Sequence, residues 1–387
     1  MVTPKLRFKE FDGVWSTSKI DEIASVTSGG TPSRANSEYW DGDIPWVTTS
    51  LVGFNVIHSA EEFITKEGVN NSSAKLFPKD TILMAMYGQG ITRGKVAILG
   101  IEATTNQACC AIKLKDSFDT QFVFQNLMNR YDEIRDLSND GGQKNLSAGI
   151  IKEISISIPP KEEQTKIASF LSVVDEKISQ LNQKYELLSQ YKQGMMQKLF
   201  SQQVRFKTDD GNEFGEWECE ELGLLLDYEQ PTKYIVSSTD YDDSFSTPVL
   251  TAGKTFILGY TDDEYGFFEA ESENVIIFDD FTTAYKFVNF NFKVKSSAMK
   301  ILKTDPSKHN IFYLYSAFST LVFSLGDEHK RRWISEYSKL EIPVPCLEEQ
   351  NKIANFLSAI DQKIEKVTQQ IEETKQWKKG LLQQMFV

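Results

Sequence analysis

The sequence predicts an α+β fold in which two globular domains of mixed α/β structure are separated by two long helices that form an antiparallel coiled coil. Three features of the 387-residue chain predict this fold: a 42-residue segment that occurs twice, an apolar heptad pattern in both copies, and short strand patterns between turns elsewhere. We expect the two copies to pair within one chain, which would give it a pseudo-two-fold, circular arrangement.

The repeated segment comprises residues 159–200 and 345–386, which align without gaps at an offset of 186 and are identical at 20 of 42 positions. In each copy the apolar residues alternate at spacings of four and three, as they do along the seam of a coiled coil. A seam this narrow needs a partner helix, and the chain offers two helices that match. The predicted interface residues are Ile167, Leu171, Val174, Ile178, Leu181, Ile353, Leu357, Ile360, Ile364 and Val367.

The ends of the repeat favour pairing within the chain over the alternative, in which each copy pairs with another subunit. The first copy ends at Phe200 and leads into the sequence VRFK at residues 204–207, while the chain begins with the related sequence LRFK at residues 6–9. If the helices are antiparallel, the second copy returns to the N-terminal domain. Residues 6–9 would then follow it as residues 204–207 follow the first copy, and the chain would be a nearly closed ring.

The position of the repeat divides the chain into four predicted segments. These are a first globular domain at residues 1–158, a central helix at 159–203, a second globular domain at 204–343 and a C-terminal helix at 344–387. Outside the helices the two halves match weakly in sequence.

Apolar segments between turns predict the elements of the two domains. In the first domain we expect strands at Thr81–Tyr87, Lys95–Leu99, Ala108–Leu114 and Ile154–Ile158, and a helix at Phe122–Leu127. In the second domain we expect a strand at Val275–Phe278, an alternating strand from Val288 to Val294, and a helix at Ile311–Phe323.

Composition argues against several classes of protein. The chain has no apolar run of the length, about 18 residues, that a membrane span needs, and its N-terminal sequence lacks the apolar core of a signal peptide. We therefore expect a soluble cytoplasmic protein without a membrane partner. The four cysteines form no C-x-x-C pair and there are three histidines, so neither a disulfide framework nor a metal site is expected.

The charge of the chain is a poor match for nucleic acid, since phosphate contacts supply much of the affinity for DNA. The net charge is −13, and residues 201–343 alone carry −11. Within that region the charges are segregated, because residues 209–243 hold twelve acids and one lysine whereas residues 286–308 hold six lysines and one aspartate. Such segregation could leave a basic face on an acidic body, which weakens the objection without removing it.

The sequence contains no recognisable active site. Residues 87–95 resemble a phosphate loop superficially, but the glycine spacing is wrong and Val96 stands where a serine or threonine would be needed. Motifs for amino-methylation, for dinucleotide binding, for a Ser-His-Asp triad and for a zinc protease are absent. Asp279 and Asp280 could suggest a nuclease metal site, although an acidic pair in a loop is more often simply solvated.

Polar and basic residues that cluster in glycine-containing loops are the candidate contacts to nucleic acid. For each cluster an ordinary turn or a solvated surface remains the alternative. The candidate residues are Thr31, Ser33, Arg34, Asn36, Tyr87, Gln89, Thr92, Arg93, Lys95, Gln143, Lys144, Asn145, Lys254, Thr282, Thr283, Lys286, Lys330, Arg331 and Arg332.

Several motifs together resemble the DNA-specificity subunit of type I restriction-modification systems. The most specific is the duplicated EEQxKIAxFLSxxDxKI at residues 162–178 and 348–364, and GGTPSR at residues 29–34 agrees with it. Segments similar to the recognition domains of the family lie at Leu76–Gly90, Thr104–Ile112, Phe256–Thr261 and Val275–Thr283. The resemblance covers essentially the whole chain.

This resemblance implies that each globular domain is a target recognition domain that reads one half of a bipartite double-stranded DNA site. The helices would set the spacer and dock two modification subunits, which bind S-adenosylmethionine and methylate adenine, and two restriction subunits would bring ATP and magnesium. The chain itself would be non-catalytic and hold no cofactor. If the adenines leave the base stack, Tyr87 or Phe281 could support the gap.

Two other functions remain open from the sequence. One is the recognition part of an autonomous DNA methyltransferase or nuclease, which the missing catalytic motifs disfavour. The other is a coiled-coil scaffold without a role on DNA, for which the acidic charge is the best argument.

Overall fold

The computed structural model describes residues 3–88, 91–137, 145–251, 255–263, 265–321 and 332–386. The chain divides into two compact units, which we call the first unit (Met1–Asn182 with Gln369–Val387) and the second unit (Gln183–Thr368). Each unit therefore contains one globular domain together with parts of both long helices.

The first unit has ten strands and five short helices in its described residues. The strands are β1 Ser16–Lys19, β2 Ala24–Ser28, β3 Trp40–Val47, β4 Val56–Ile57, β5 Glu62–Ile64, β6 Ile82–Ala85, β7 Val96–Leu99, β8 Thr104–Thr105, β9 Cys109–Leu114 and β10 Ser155–Ile158. The helices are α1 Ile20–Ile23, α2 Lys66–Asn70, α3 Thr120–Asn129, α4 Tyr131–Asp136 and α5 Ala148–Glu153. The long helix α6, Lys161–Phe200, follows them along the chain.

The described part of the second unit has nine strands and three short helices. The strands are β11 Glu218–Glu221, β12 Asp227–Glu229, β13 Thr247–Leu250, β14 Ile257–Thr261, β15 Val275–Asp279, β16 Tyr285–Val288, β17 Lys293–Val294, β18 Met299–Lys303 and β19 Glu341–Val344. The short helices are α7 Leu222–Leu225, α8 Ile311–Phe318 and α9 Arg332–Ser335, and the second long helix is α10, Leu347–Met385. Among all the described helices, none is long and apolar enough to cross a membrane.

The two globular domains share a sheet topology, apart from the additional edge strand β4 in the first, although their sequences match weakly. The larger sheet has the order β2-β9-β6-β7-β4 in the first unit and β12-β18-β15-β16 in the second. The smaller sheet is β5-β3-β8 in one and β14-β13-β17 in the other, each with one antiparallel and one parallel pair. A two-stranded ribbon, β1-β10 or β11-β19, completes each domain. The domains are therefore a structural repeat, as the helices are a sequence repeat.

The same contacts join each long helix to its domain at positions 186 residues apart. The Gln164 side-chain oxygen accepts the backbone N–H of Asp119, which caps α3, at 2.9 Å. The Gln350 oxygen accepts the backbone N–H of Asn310, which caps α8, also at 2.9 Å. The amide nitrogens of both glutamines donate to the carbonyl of the proline five residues earlier. The repeat thus conserves the attachment of helix to domain.

The long helices are antiparallel within each unit. In the first unit the Asp175 carboxylate of α6 lies 2.5 Å from Lys378 Nζ of α10, and in the second unit Lys192 Nζ of α6 lies 2.5 Å from the Asp361 carboxylate of α10. The aspartates are equivalent in the repeat, and so are the lysines. The equivalent ion pairs confirm the antiparallel pairing that the sequence predicts.

The predicted interface residues occupy the covered faces of the long helices. In the first unit Ile167, Leu171 and Val174 belong to the same buried cluster as Leu381 and Met385 of α10 and the core of the domain. In the second unit the corresponding residues of α10 lie in one cluster with Leu199 of α6 and the core of that domain. The buried interface residues are Ile167, Leu171, Val174, Leu181, Ile353, Leu357, Ile360 and Val367, and the half-buried ones are Ile178 and Ile364. The heptad seam is therefore covered by domain core as well as by the partner helix.

The chain ends close as the sequence predicts. The Leu6 N–H donates to the carbonyl of Gln384 at 2.9 Å, and the Val204 N–H donates to the carbonyl of Lys198 at 3.2 Å. Gln384 and Lys198 are equivalent in the repeat. The N-terminal segment thus follows α10 as residues 204–207 follow α6.

A buried ion pair accompanies each closure. The guanidinium of Arg7 contacts both carboxylate oxygens of Glu163 at 2.7 Å. The guanidinium of Arg205 contacts Glu349 at 3.1 and 2.7 Å. Both glutamate side chains are fully buried and are equivalent in the repeat. Each carboxylate therefore depends on an arginine from outside its own helix.

Two of the predicted elements differ from the structure. The alternating residues from Val288 to Val294 are not one strand, because β16 ends at Val288 in the larger sheet and β17 begins at Lys293 in the smaller one. Val288, Phe292 and Val294 still share one buried cluster, so the alternation reports burial rather than a continuous strand. Helix α8 ends at Phe318, before the predicted end at Phe323.

The early end of α8 has a local cause. The hydroxyls of Ser319 and Thr320 donate to the carbonyls of Ser316 and Ala317, each at 2.7 Å, and so occupy acceptors of the last turn. Serine and threonine side chains that bond nearby carbonyls compete with the helical pattern in this way.

Replacing Arg7 by alanine should destabilise the protein by about 3 kcal/mol, because it leaves the buried Glu163 carboxylate without its partner. Arg205→Ala should cost less, because Glu349 keeps the hydrogen bond from the indole N–H of Trp217 at 2.9 Å. The free energy of unfolding in urea measures the effect for each variant. Lys19→Ala is the control, because its pair with Glu153 is exposed and its loss should change stability far less. Equal stability of all three variants would contradict the structural role of the buried pairs.

The environment of Asp263 predicts that the stability of the protein falls at acidic pH. Hydrogen bonds from Lys293, at 2.7 Å, and from Ser237 lower the pKa of Asp263 from 3.8 to about 2. Because the folded-state pKa is lowered, this contribution is complete above about pH 4 and is lost as the pH falls toward 2. Asp263→Asn should cost about 1–2 kcal/mol at pH 7 and nothing near pH 2, as measured by urea unfolding across this range. Wild-type and variant curves that stay parallel would contradict it.

Candidate nucleic-acid interface

Two equivalent hairpin connections carry many of the predicted contacts. In the first unit the β6–β7 loop, residues 86–95, contains five of the candidates, of which all but Gln89 lie in the described ranges. In the second unit the β15–β16 turn, residues 280–284, contains two, and Lys286 follows in β16. The candidates on these connections are Tyr87, Thr92, Arg93, Lys95, Thr282, Thr283 and Lys286. Residue type and position in a loop selected them, and the shared topology brings them to the same connection in both domains.

The β6–β7 loop is held from both sides. The Tyr131 hydroxyl donates to the carbonyl of Ile91 at 2.5 Å, and the Gly94 N–H donates to the carbonyl of Ala85 at 2.9 Å. Gly94 has φ = +84°, a conformation that favours glycine. The Lys95 ammonium lies 5.8 Å from the centre of the Phe54 ring. Tyr87 is exposed, and Thr92, Arg93 and Lys95 are half-buried.

The β15–β16 turn is organised by the buried carboxylate of Asp279. This carboxylate accepts the N–H of Phe281 at 2.9 Å, the N–H of Thr282 at 3.3 Å and the Thr282 hydroxyl. Thr283 has φ = +59°, which is strained for a β-branched residue, and its N–H donates to the carbonyl of Asp279. The conformation of the turn is therefore fixed by the last residue of β15.

The expectation that Asp279 and Asp280 are a solvated pair is wrong, because both side chains are buried. Asp280 lies 3.0 Å from the ammonium of buried Lys300 and accepts the N–H of Trp333 at 2.9 Å. The two acids serve the structure of the turn. Within the described ranges, no three His, Cys, Asp or Glu side chains are placed to hold a metal ion.

The GGTPSR loop of the first unit is tied to the protein rather than open. Arg34 forms a two-contact ion pair with Glu62, which raises the pKa of the guanidinium, and lies 3.7 Å from the centre of the Trp40 ring. The Asn36 side chain accepts the N–H of Glu38 at 3.1 Å and so caps a short helical turn. Thr31 bonds Gln107, and Ser33 is exposed. Arg34 and Asn36 thus have evident structural roles.

Gly30 in the same loop allows a close approach of two backbones. A Cβ at this position would lie 2.3 Å from the carbonyl carbon and hydroxyl of Ser73. The Gly30 carbonyl accepts the indole N–H of Trp46 at 3.0 Å. Glycine is therefore required here by packing.

The other predicted contacts are dispersed. Arg332 is buried, Asn145 is half-buried, and the Lys286 ammonium lies 4.7 Å from the centre of the Phe256 ring. Six candidates lie outside the ranges that the structure describes: Gln89, Gln143, Lys144, Lys254, Lys330 and Arg331. Which residues read bases and which hold phosphate stays a prediction.

The lysine-rich stretch at residues 286–308 is not a continuous basic face. Lys293 pairs with Asp263, Lys300 with Asp280, and Lys303 with Glu229. Strand pairing brings acids from other parts of the chain to these lysines, so segregation along the sequence does not become segregation in space.

Sequence reasoning missed one exposed apolar residue of the interface. Ile91 is 66% exposed in the β6–β7 loop. Like Phe281, which is 56% exposed in the β15–β16 turn, it is a bulky apolar residue on the equivalent connection. The sequence does place this apolar residue among glycine, threonine and arginine, and that pattern could have identified it as an exposed apolar side chain in a polar loop. The buried Lys300, which supports the turn through Asp280, had no signal in sequence because its partner is distant.

Comparison with known proteins agrees with this architecture. The family model described as "Type I restriction modification DNA specificity domain" matches residues 13–190 and 215–376. The chain belongs to the family of type I restriction-modification specificity subunits. The resemblance and the fold class that the sequence predicts are thereby confirmed.

Individual relatives match to different extents. The EcoR124I/EcoR124II specificity subunit of Escherichia coli is 51% identical over 150 residues, which is 38% of this chain and 37% of that protein. The MjaIX specificity subunit of Methanocaldococcus jannaschii is 32% identical over 230 residues, 56% of this chain and 52% of its own. The chain thus spans between a third and about half of the length of these two relatives. The MjaVIII subunit of the same organism is 24% identical over 95% of this chain and 93% of its own.

Solved structures show the same fold. The S subunit of a type I restriction-modification system from M. genitalium matches with a TM-score of 0.68 and 17% identity over 100% of this chain and 99% of that one. A chain from a structure of type I system assembly and conformational transition matches with a TM-score of 0.52 and 15% identity, covering 96% and 97%.

Proposed function

We propose that this chain is the DNA-specificity subunit of a type I restriction-modification complex and that each domain reads one half of a bipartite target. The observation that carries the proposal is the double repeat. The two domains share a topology and place polar, basic and exposed apolar residues on the same hairpin connection, but with different residues. This combination suits the reading of two different half-sites on one duplex.

We further propose that the chain is non-catalytic and works through partner subunits. Two modification subunits would bring S-adenosylmethionine and methylate adenine, and two restriction subunits would bring ATP and magnesium. Membership in the specificity-subunit family supports this division of labour. A cytoplasmic location would follow from work on cellular DNA.

The direct test is to purify the chain with the modification subunit from its own operon and to map methylated adenines on genomic DNA. A bipartite motif with a modified adenine in each half supports the proposal and gives the sequence of both half-sites. A stable complex that methylates without sequence preference, or does not methylate at all, overturns it in favour of a scaffold. Methylation by the chain alone would favour an autonomous methyltransferase.

We propose that two copies of one partner bind at equivalent places on the repeat. Trp377 and Tyr191 are equivalent in the repeat, and they are 53% and 51% exposed. Trp377 packs edge-on against Phe170 at 6.2 Å, and Tyr191 packs against the equivalent Phe356 at 6.4 Å. Aromatic residues that are held by packing but remain half exposed are typical anchors of protein interfaces. Their duplication suits two identical modification subunits.

Replacing Trp377 or Tyr191 by alanine should remove one of two equivalent docking sites. We expect each single variant to bind one modification subunit normally and the second at least tenfold more weakly, and the double variant to lose both, because aromatic anchors often contribute 2 kcal/mol or more to binding. Native mass spectrometry or calorimetry measures the stoichiometry. Leu224→Ala, at an exposed apolar residue of the second domain, is the control. Two normal binding events in the double variant would contradict this docking site.

The length of the paired helices should set the number of unread base pairs between the half-sites. Deleting residues 180–186 and 366–372 removes one heptad at equivalent places and leaves both Asp–Lys pairs outside the deletions. Seven residues of helix span about 10 Å, so the preferred spacer should shorten by about three base pairs. Methylation mapping of the variant complex measures the spacer. An unchanged spacer would contradict the proposal, and deletion in one helix alone should prevent folding.

A further inference from the structure

Both domains expose a bulky apolar side chain on the same hairpin connection. Ile91 in the β6–β7 loop is 66% exposed, and Phe281 in the β15–β16 turn is 56% exposed. Strands β6, β7 and β15 are fully buried while β16 is mostly half-buried or exposed, and the two connections differ in length and sequence. An apolar side chain is therefore retained at one place in the fold while the residues around it differ.

The backbone of each of these residues is anchored. The carbonyl of Ile91 accepts the Tyr131 hydroxyl at 2.5 Å, and Tyr131 itself packs edge-on against Phe54 with ring centres 5.3 Å apart. The N–H of Phe281 donates to the buried Asp279 carboxylate at 2.9 Å. The exposed side chains therefore stand on fixed backbone rather than on loose loops.

The support of Phe281 is unusually elaborate for a five-residue turn. Asp280 beside it is paired with buried Lys300 at 3.0 Å and accepts the N–H of Trp333 from α9. Thr283 is held at a positive φ of 59°. Buried charge and backbone strain are both costly, and they persist where a particular local geometry is required. The geometry that they fix here is that of the segment carrying Phe281.

We propose that Ile91 and Phe281 are wedges that insert between base pairs, one in each half of the DNA target, and hold a base step unstacked. The inference rests on the proposed function. Isoleucine and phenylalanine are among the side chains that proteins insert in this way. Lys286, an exposed residue of β16 on the same hairpin, supplies a cation for a backbone phosphate. An opened step also lowers the work of extruding an adenine for methylation.

The test uses the complex of the full chain with its modification subunit and the target sequence found by methylation mapping. A set of duplexes carries 2-aminopurine, a base that fluoresces more strongly when unstacked, at each purine in turn of both half-sites except the methylated adenines. We expect the wild-type complex to raise the fluorescence at one step in each half-site. Ile91→Ala should abolish the rise in one half-site and Phe281→Ala should abolish it in the other. Each should also lower affinity about tenfold, which corresponds to the loss of one stacking contact.

Matched variants separate insertion from general damage. Leu76→Ala and Tyr265→Ala remove exposed apolar side chains from the first and second units, and should leave both signals unchanged. Phe281→Leu keeps an apolar wedge and should retain most of the signal that Phe281→Ser loses. Circular dichroism and assembly with the modification subunit show that each variant is folded.

The outcomes are distinguishable. Wild-type binding that discriminates the target from a scrambled duplex, without any rise in 2-aminopurine fluorescence outside the methylated adenine, overturns the wedges and leaves the proposed function intact. Signals that survive Ile91→Ala and Phe281→Ala also overturn the wedges. Variants that bind DNA normally but lose a modification subunit would assign these side chains to a protein contact instead. A wild-type complex without sequence preference would count against the proposed function itself.

Discussion

The two buried glutamates at the start of the long helices are the constraint on which the rest of the structure depends. Glu163 and Glu349 have fully buried side chains, and each is matched by an arginine that arrives from the segment following the other helix. An unpaired carboxylate in such a place would cost several kcal/mol, so the pair enforces both the antiparallel pairing and the closure of the chain. The equivalent glutamines one residue later bind backbone groups of the domain helices, which any side-chain sequence can supply.

This arrangement explains why the sequences of the two long helices can be so similar while the sequences of the two domains differ. The helix contacts use an arginine, a capping N–H and an apolar core, to which the hairpin connections contribute Met86. Met86 and Asp280 are buried, but the residues at the exposed parts of the connections can vary without changing the core. A loop of ten residues and a turn of five can therefore occupy one place in the same topology. Such independence is what a protein needs if its two halves are to read different sequences.

The sequence predicts the features that arise from local periodicity and from the repeat. The long helices follow from the spacing of apolar residues, and the closure at residues 6–9 follows from their similarity to residues 204–207. Ile82–Ala85, Val96–Leu99 and Cys109–Leu114 fall within predicted strands. Features that depend on distant partners could not be predicted. Residues Val288 to Val294 alternate in polarity but change sheets, because both sheets bury the same cluster.

In the candidate interface too, local features could be predicted from the sequence and contacts between distant residues could not. Its hairpin connections could be found from glycine, threonine and basic residues, but not the burial of Asp280 by Lys300 or the pairing of Arg34 with Glu62.

These ion pairs show how acidic residues of the chain engage its basic residues. Lysines at 293, 300 and 303 neutralise acids within the second domain, and Arg34 is engaged by Glu62 and Trp40 in the first. These four cations are therefore engaged within their own domains, so under the proposed function they would contribute little to the counterion release that drives much of the binding to DNA. Discrimination between DNA sequences by a few fixed side chains does not need a large counterion release, because contacts to bases determine the sequence while contacts to phosphates supply affinity. Under the proposed function, the chain would carry the specificity of its complex and partner subunits would carry most of the electrostatic affinity.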